Sequence, residues 1–334
     1  MASAQKSKLP SLKGQRVLIT GGLGFIGSNL AIRCLELGAQ VTVYDCLDPR
    51  SGGNMYNVNG FKNDIQIILN DIRNFEGVSA AILNHDILFN CAAYTSHPLS
   101  MREPLIDIDV NCKGVINLLE AARRFNLDIK VVHVGTSTQV GKMQINPVDE
   151  AHPEFPLDIY SANKSVSEKY ILIYGHAYHM KTAVIRLANV FGPRSNIKSI
   201  EFGFMNYFVG LGLQGKELTV YGEGKQLRNI SYVEDCMAAL ILASQSEKCN
   251  GEALFAVSDN QHSVAELAET IAKHIGGTVR FVEWPKDRKA IDVGDAVITN
   301  RKIKKLLNWS PQYDLKTGLI ETKKFFLPSL KHYL

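Results

Sequence analysis

No two cysteines in this sequence are spaced C-x-x-C, and the six present (Cys34, Cys46, Cys91, Cys112, Cys236 and Cys249) have no His or Cys clustered near them. A structural zinc site and a dithiol redox centre are therefore not expected, and no metal is. Several of these thiols sit inside apolar runs, where a cysteine behaves as a small buried hydrophobe. We read them as reduced and structural, which fits a cytoplasmic protein. Runs of five or six like charges are also missing. The formal charge is only +4, with 37 Lys and Arg spread along the chain against 33 Asp and Glu. That is not the footprint of a nucleic-acid binder. No uninterrupted apolar stretch approaches membrane-spanning length, and residues 1–14 are polar and basic without the apolar core of a secretory signal. Internal repeats and low-complexity segments are lacking too.

What remains is an ordinary globular composition, 46% apolar and 21% charged over 334 residues, enough for a large α/β unit with an appendage. Short β-rich runs at 16–20, 40–45, 65–69, 87–93, 129–136 and 182–190 alternate with helical patterns such as 29–37 and 116–124. Alternation of this kind predicts βαβ units and a parallel sheet with helices on both faces. After about residue 191 the rhythm breaks into Gly-rich connections. Short strands are expected there at 218–221, 253–258 and 279–284, with helices at 234–244 and 263–275.

The first strand is followed at once by G-G-L-G-F-I-G, which spaces Gly21, Gly24 and Gly27 three apart with Phe25 and Ile26 between. Glycines between a strand and a helix let the backbone approach a pyrophosphate, whose charge the helix N-terminus stabilises. Tight packing alone also selects glycine, but here an apolar strand precedes the loop and an amphipathic helix follows, so a dinucleotide is expected. The second strand ends at Asp45, about 20 residues on, where an acid can bind ribose hydroxyls and repel the 2′-phosphate of NADP. NAD is therefore favoured, although Arg50 lies near in sequence and a turn is the plain alternative for Asp45. Asp71 and Ile72, in N-D-I-R, can meet an adenine or simply turn the chain. Ala92, in C-A-A, can admit a cofactor or answer to close packing.

Y-S-A-N-K sets Tyr160 and Lys164 four residues apart, on one face if the segment is helical. An ammonium nearby lowers a phenol's pKa, so the tyrosine can take a proton from a hydroxyl as hydride leaves the same carbon. Upstream, V-V-H-V-G-T-S-T places Thr136 at a strand's carboxyl end, where a hydroxyl can position the reacting oxygen. Y-x-x-x-K alone is common, and two exposed helix residues explain it equally well. The glycine loop and the intervening alternation make that explanation the weaker one.

In order, G-G-L-G-F-I-G, Y-D, N-D-I-R, T-S-T, Y-S-A-N-K, R-L-A-N-V-F-G-P-R and R-N-I-S-Y-V-E-D resemble the NAD-dependent epimerase/dehydratase family, the extended branch of the short-chain dehydrogenases. The likeness runs from about residue 13 to 318. It implies a Rossmann-type doubly wound parallel sheet binding NAD at 13–190. A smaller substrate-binding portion at 191–330 would follow, from which the chain can re-enter the sheet. It also implies a nucleoside-diphosphate sugar as substrate, with Thr136, Tyr160 and Lys164 catalytic. By the same resemblance Asn111 supports the cofactor side, Asn189 and Arg228 bind the diphosphate, and Tyr221 frames that pocket. His97 and Ser100 lie in the segment where sugar and nicotinamide meet. Members often dimerise through the helix carrying the tyrosine, on which Val166, Tyr170 and Ile173 follow helical spacing. A homodimer is expected, although these residues can equally face the chain's own core.

Departures from the family pattern narrow the chemistry. The 4,6-dehydratases carry an acid after the catalytic threonine, whereas Ser137 and Thr138 stand here. The usual V-Y-G reads Q-V-G, and Arg228 is followed by Asn229 rather than Asp. The primary expectation is an epimerase acting at C4. A decarboxylase, with Arg102 or Arg194 for a C6 carboxylate, is one alternative, as are a dehydratase and a reductase. A cofactor-sensing binding protein without turnover is the alternative of another class.

Overall fold

Central strands of a parallel sheet must be apolar on both faces, and this sequence supplies them. All six residues of T-A-V-I-R-L are buried, as are all four of I-L-F-N. The computed structural model describes residues 9–285 and 294–334. Its elements begin β1 (Arg16–Thr20), α1 (Phe25–Glu36), β2 (Gln40–Asp45), β3 (Gln66–Leu69), α2 (Phe75–Ile82) and β4 (Ile87–Asn90). Then come α3 (His97–Arg102), α4 (Pro104–Ile108), α5 (Val115–Phe125), β5 (Lys130–Thr136), α6 (Ile159–Tyr178), β6 (Thr182–Leu187) and β7 (Val190–Phe191). The chain continues through α7 (Phe204–Leu213), β8 (Glu217–Tyr221), β9 (Leu227–Asn229), β10 (Ser231–Tyr232), α8 (Val233–Ser244) and β11 (Glu252–Ala256). It ends with β12 (Gln261–Ser263), α9 (Val264–His274), β13 (Thr278–Val282), α10 (Arg301–Leu307) and α11 (Leu315–Ser329).

Seven strands pair in the order β3-β2-β1-β4-β5-β6-β11, every pair parallel. This is the doubly wound sheet expected, with β11 returning to pair with β6. Successive side chains of a strand face opposite sides, so the sheet carries two cores. Val17 and Ile19 join one with Leu30, Cys34, Cys236 and Leu240 of α1 and α8. Leu18 joins the other with Val78, Leu118, Leu119 and Ile171 of α2, α5 and α6. All six cysteines are free thiols. Three two-stranded ribbons, β7 with β10, β9 with β12 and β8 with β13, form the smaller substructures beyond β6.

The elements depart from expectation where local backbone decides. The strand expected over 182–190 is cut after Leu187, because Asn189 adopts φ +42° before β7 resumes. Asparagine tolerates that left-handed region better than other non-glycine residues. The strand expected over 87–93 stops at Asn90, leaving Cys91–Ala92–Ala93 as open chain. Between α4 and α5 the helix widens into a π-type turn at Asp109–Gly114, a bulge that functional regions often carry.

Candidate functional site

Strand order reverses between β1 and β4, so a crevice opens at their carboxyl ends. The glycine loop lies there. Gly21 has φ +66°, and a Cβ on it would lie 2.7 Å from Ala92 Cα. A Cβ on Gly27 would lie 2.3 Å from the Gly21 carbonyl oxygen. Gly24 is the N-cap of α1 and has no side chain to cap it, and the first turn holds no acid. The first N–H groups and the positive end of α1 thus keep the donor set a pyrophosphate requires. Asp45 closes the same cavity with Phe25, Ile26, Asp71, Ile72 and Ala92. Its carboxylate accepts from Leu23 N at 3.0 Å and Leu47 N at 2.8 Å. Burial raises its pKa against those two bonds. Arg50 is spoken for, donating to Asp48 at 2.7 Å and to Glu103 at 3.3 Å. Asp71 is likewise held by Arg73 at 2.6 Å. A cradle that admits no side chain, followed by a buried acid, fits a dinucleotide without a 2′-phosphate.

The catalytic candidates converge next to this crevice. Asp158 caps α6 by accepting from Ser161 N at 2.8 Å, and Ser100 Oγ accepts from Tyr160 N at 3.0 Å. With the helix start fixed, Tyr160 and Lys164 project from one face, both buried, into a pocket they line with Thr136, Thr138, His97 and Asn189. Burial pushes the Tyr160 phenol above its usual pKa, opposed by a hydrogen bond with the Thr136 hydroxyl. Burial is the larger of these two influences on the phenol. Lys164 donates to the Val134 carbonyl at 2.7 Å, and burial lowers its pKa to about 8. A band of polar groups rims the pocket. Thr136 Oγ1 lies 3.1 Å from Thr138 Oγ1, Ser161 Oγ is 3.0 Å from Thr138 Oγ1, and Asp158 holds His97 Nδ1 at 2.8 Å. The His97 ring stands edge-on to Tyr160, with centroids 4.9 Å apart.

An adjoining cavity, sharing Phe204 with the Tyr160 pocket, is lined by Tyr221, Gln226, Arg228 and Trp284. Tyr221 and Trp284 pack at 5.4 Å between ring centroids. Arg228 on β9 donates to the Leu227 carbonyl at 2.8 Å. Asn189 donates to the Asn229 carbonyl at 3.1 Å, which ties the catalytic pocket to β9.

Two expected site residues stand behind the wall rather than in it. Asn111, in the π-type turn, donates to Tyr94 O and Asp107 Oδ1, each at 2.9 Å, and accepts from Tyr94 N. It pins the loop after β4. Ser100 is fully buried and serves the start of α6. Arg102 is paired with Glu201 at the surface, and Arg194 donates to Asn57 O and Asn29 Oδ1. Sequence reading overlooked Phe202 and Asn206, which line both the crevice and the pocket, and His133, which touches Lys164. The first two carry no local signal. A histidine inside the apolar run V-V-H-V-G is a signal, since a buried imidazole needs partners. Among the described residues, no His, Cys, Asp and Glu group is placed to hold a metal ion. Nor is any helix long and apolar enough to cross a membrane.

Known proteins resemble this chain over most of its length. The family described as GDP-mannose 4,6 dehydratase matches residues 18–322. A putative UDP-glucose 4-epimerase of Methanocaldococcus jannaschii is 31% identical, over 91% of this chain and 95% of that protein. A UDP-N-acetyl-alpha-D-glucosaminuronate decarboxylase of Bacillus cytotoxicus is 30% identical, over 93% and 98%. The solved dTDP-glucose 4,6-dehydratase of Bacillus anthracis, in complex with NAD, superposes with a TM-score of 0.82. It is 25% identical and covers 96% of this chain and 99% of that one.

Proposed function

Because this chain belongs to the NAD-dependent epimerase/dehydratase family of nucleotide-sugar enzymes, we propose that it is an epimerase inverting C4 of a nucleoside-diphosphate sugar. NAD, when bound, accepts the C4 hydride and gives it back. Tyr160 takes the C4 hydroxyl proton as that hydride leaves, and Thr136 holds the same oxygen by a hydrogen bond. Lys164 stabilises the phenolate form of Tyr160 that accepts this proton. The 4-keto sugar then turns over between the rims of the pocket. Hydride returns to its other face, and Tyr160 gives the proton back to the oxygen. No atoms are gained or lost over the cycle. In this reading 13–190 serve the cofactor and 191–330 mainly the substrate, β11 excepted. Gly21, Gly24, Phe25, Ile26 and Gly27 cradle the pyrophosphate, and Asp45 takes the ribose hydroxyls. Asn189, Arg228 and Tyr221 hold the sugar nucleotide, and His97 faces the sugar.

The observation that favours epimerisation over its rivals is the charge lining the Thr136–Tyr160–Lys164 pocket. Among the described residues, the lysine apart, the charged side chain there is Glu201, which is tied to Arg102. No carboxylate follows Thr136 for elimination of water, and neither Arg102 nor Arg194 is turned to a C6 carboxylate. The test is mass spectrometry. The denatured protein is searched for NAD, and the native protein is then incubated with UDP-, GDP-, CDP- and dTDP-sugars. Copurified NAD and an isomer of unchanged mass are expected. A product lighter by carbon dioxide or water would move the assignment to decarboxylase or dehydratase. Bound NAD with no product from any sugar would favour the sensing protein.

A further inference from the structure

An ammonium has three N–H bonds to place. On Lys164 one goes to the Val134 carbonyl at 2.7 Å and a second points at His133 Nε2, 3.0 Å away. One is left for the pocket. His133 lies in the middle of β5, fully buried, where burial first and the Lys164 charge second hold its imidazole well below its usual pKa. The ring is therefore neutral and carries a single N–H. Its Nδ1 lies 3.0 Å from Asn90 Nδ2, and the other end of that carboxamide meets Thr20 Oγ1 at 2.8 Å. Asn90 and Thr20 are both about 1% exposed. The chain Lys164–His133–Asn90–Thr20 thus crosses β5, β4 and β1 and ends inside the protein.

Counting protons along this chain fixes its sense. If Lys164 is charged, Nε2 must accept, so the ring proton sits on Nδ1. Nδ1 then needs an acceptor, and its neighbour is the Asn90 carboxamide, which must turn end for end from the orientation that puts Nδ2 toward the ring, so that its oxygen faces Nδ1 and its NH2 faces Thr20. The two ends of a carboxamide have nearly the same outline, so hydrogen bonding decides between them. With the NH2 left facing Nδ1, the ring proton would sit on Nε2, and Lys164 would have to be a neutral amine. The orientation of one buried amide is thereby coupled to the charge of the lysine.

We propose that His133 is a positioning residue for Lys164: the Asn90 oxygen fixes it as the Nδ1–H tautomer, and its Nε2 lone pair holds the ammonium so that the third N–H faces the pocket. The proposal rests on the reading that Lys164 serves Tyr160. Without that acceptor a buried ammonium loses one of its two protein partners and gives up its proton more readily. The other titratable groups around Lys164 are Glu168 on α6, Asp107 on α4, Cys91 beyond β4 and Cys112 in the π-type turn. Ser167 Oγ also lies 3.5 Å from His133 Nε2. None of these supplies an acceptor in place of the imidazole, since the hydrogen bonds of Lys164 go to His133 and Val134.

The test combines His133→Phe, which keeps the ring, with His133→Gln, which keeps an acceptor. His133→Phe is expected to fold and to copurify with NAD, but its alkaline limb of kcat against pH should move down by about one unit or more. At neutral pH its kcat should fall about tenfold with the substrate KM unchanged, and His133→Gln should restore both. An alkaline limb and kcat within about twofold of the parent protein, with NAD bound, would overturn the proposal. Nitrogen NMR of the parent protein, labelled at histidine, decides the matter without any variant or substrate. It should show Nδ1 protonated and Nε2 bare across the working pH range, and the opposite tautomer would overturn the assignment. A protein that turns over no sugar would sink the proposed activity while leaving this tautomer measurement intact.

Discussion

Burial raises the pKa of the Tyr160 phenol, against its hydrogen bond with Thr136, and lowers that of the lysine beside it. The folded-state pKa of Lys164 is lowered to about 8, so its charge is lost as pH rises through that value. Replacing the phenol alone separates chemistry from binding. Tyr160→Phe should lower turnover by about a thousandfold while the protein still copurifies with NAD, read by mass spectrometry of the denatured sample. Activity that survives this change would remove Tyr160 from the mechanism. At this scale, Thr136, Tyr160 and Lys164 were legible because helix spacing and a strand end fix where side chains point. Asn111 and Ser100 were placed in the right neighbourhood, but their polar atoms turn inward to Tyr94 and to the start of α6. Sequence gives proximity along the chain more readily than direction. Phe202 and Asn206 reach the site only through folding of the segment after β7, which no spacing announces.

Elements follow the same logic. The alternation of apolar runs announced every strand of the central sheet, because strands buried on both faces need continuous apolar residues. Strand boundaries moved by up to three residues, as hydrogen bonding at element ends dictates. The eight-residue helix over 75–82 went unread, and the π-type turn could not be foreseen from D-V-N-C-K-G. One clamp between elements is testable. Glu120 on α5 accepts from Arg123 and Arg124 and from the Tyr174 hydroxyl on α6, each at 2.8 Å. The Arg123 bond is the main reason its pKa is pushed down to about 2. A carboxyl depressed on folding stabilises the protein above its unfolded pKa and loses that contribution as pH falls toward its folded one. Glu120→Gln should therefore lower Tm by about 2 °C at neutral pH, a small effect because the clamp is partly solvated. The difference from the parent protein should narrow as pH drops below about 4. A gap that is constant from neutral to acid pH would show that Glu120 acts through packing instead.

For the whole molecule, the open question at the tyrosine helix receives a divided answer. Tyr170 packs against the core beneath α6, whereas Val166 and Ile173 are 38% and 53% exposed. These two are the residues left for a second copy, and we expect a homodimer. Sedimentation should give one species near twice the chain mass, and Ile173→Glu should shift it to monomer with NAD still bound. A parent protein that stays monomeric across concentrations would remove the dimer. The soft boundary expected after residue 191 has a firmer counterpart in β11, which leaves the segments after β7 to pair along β6. Without it, six buried residues of β6 would form a bare sheet edge, a template for uncontrolled strand addition. The sheet through β6 therefore depends on chain made later to cover its edge, and residues 13–190 expressed alone are expected to aggregate.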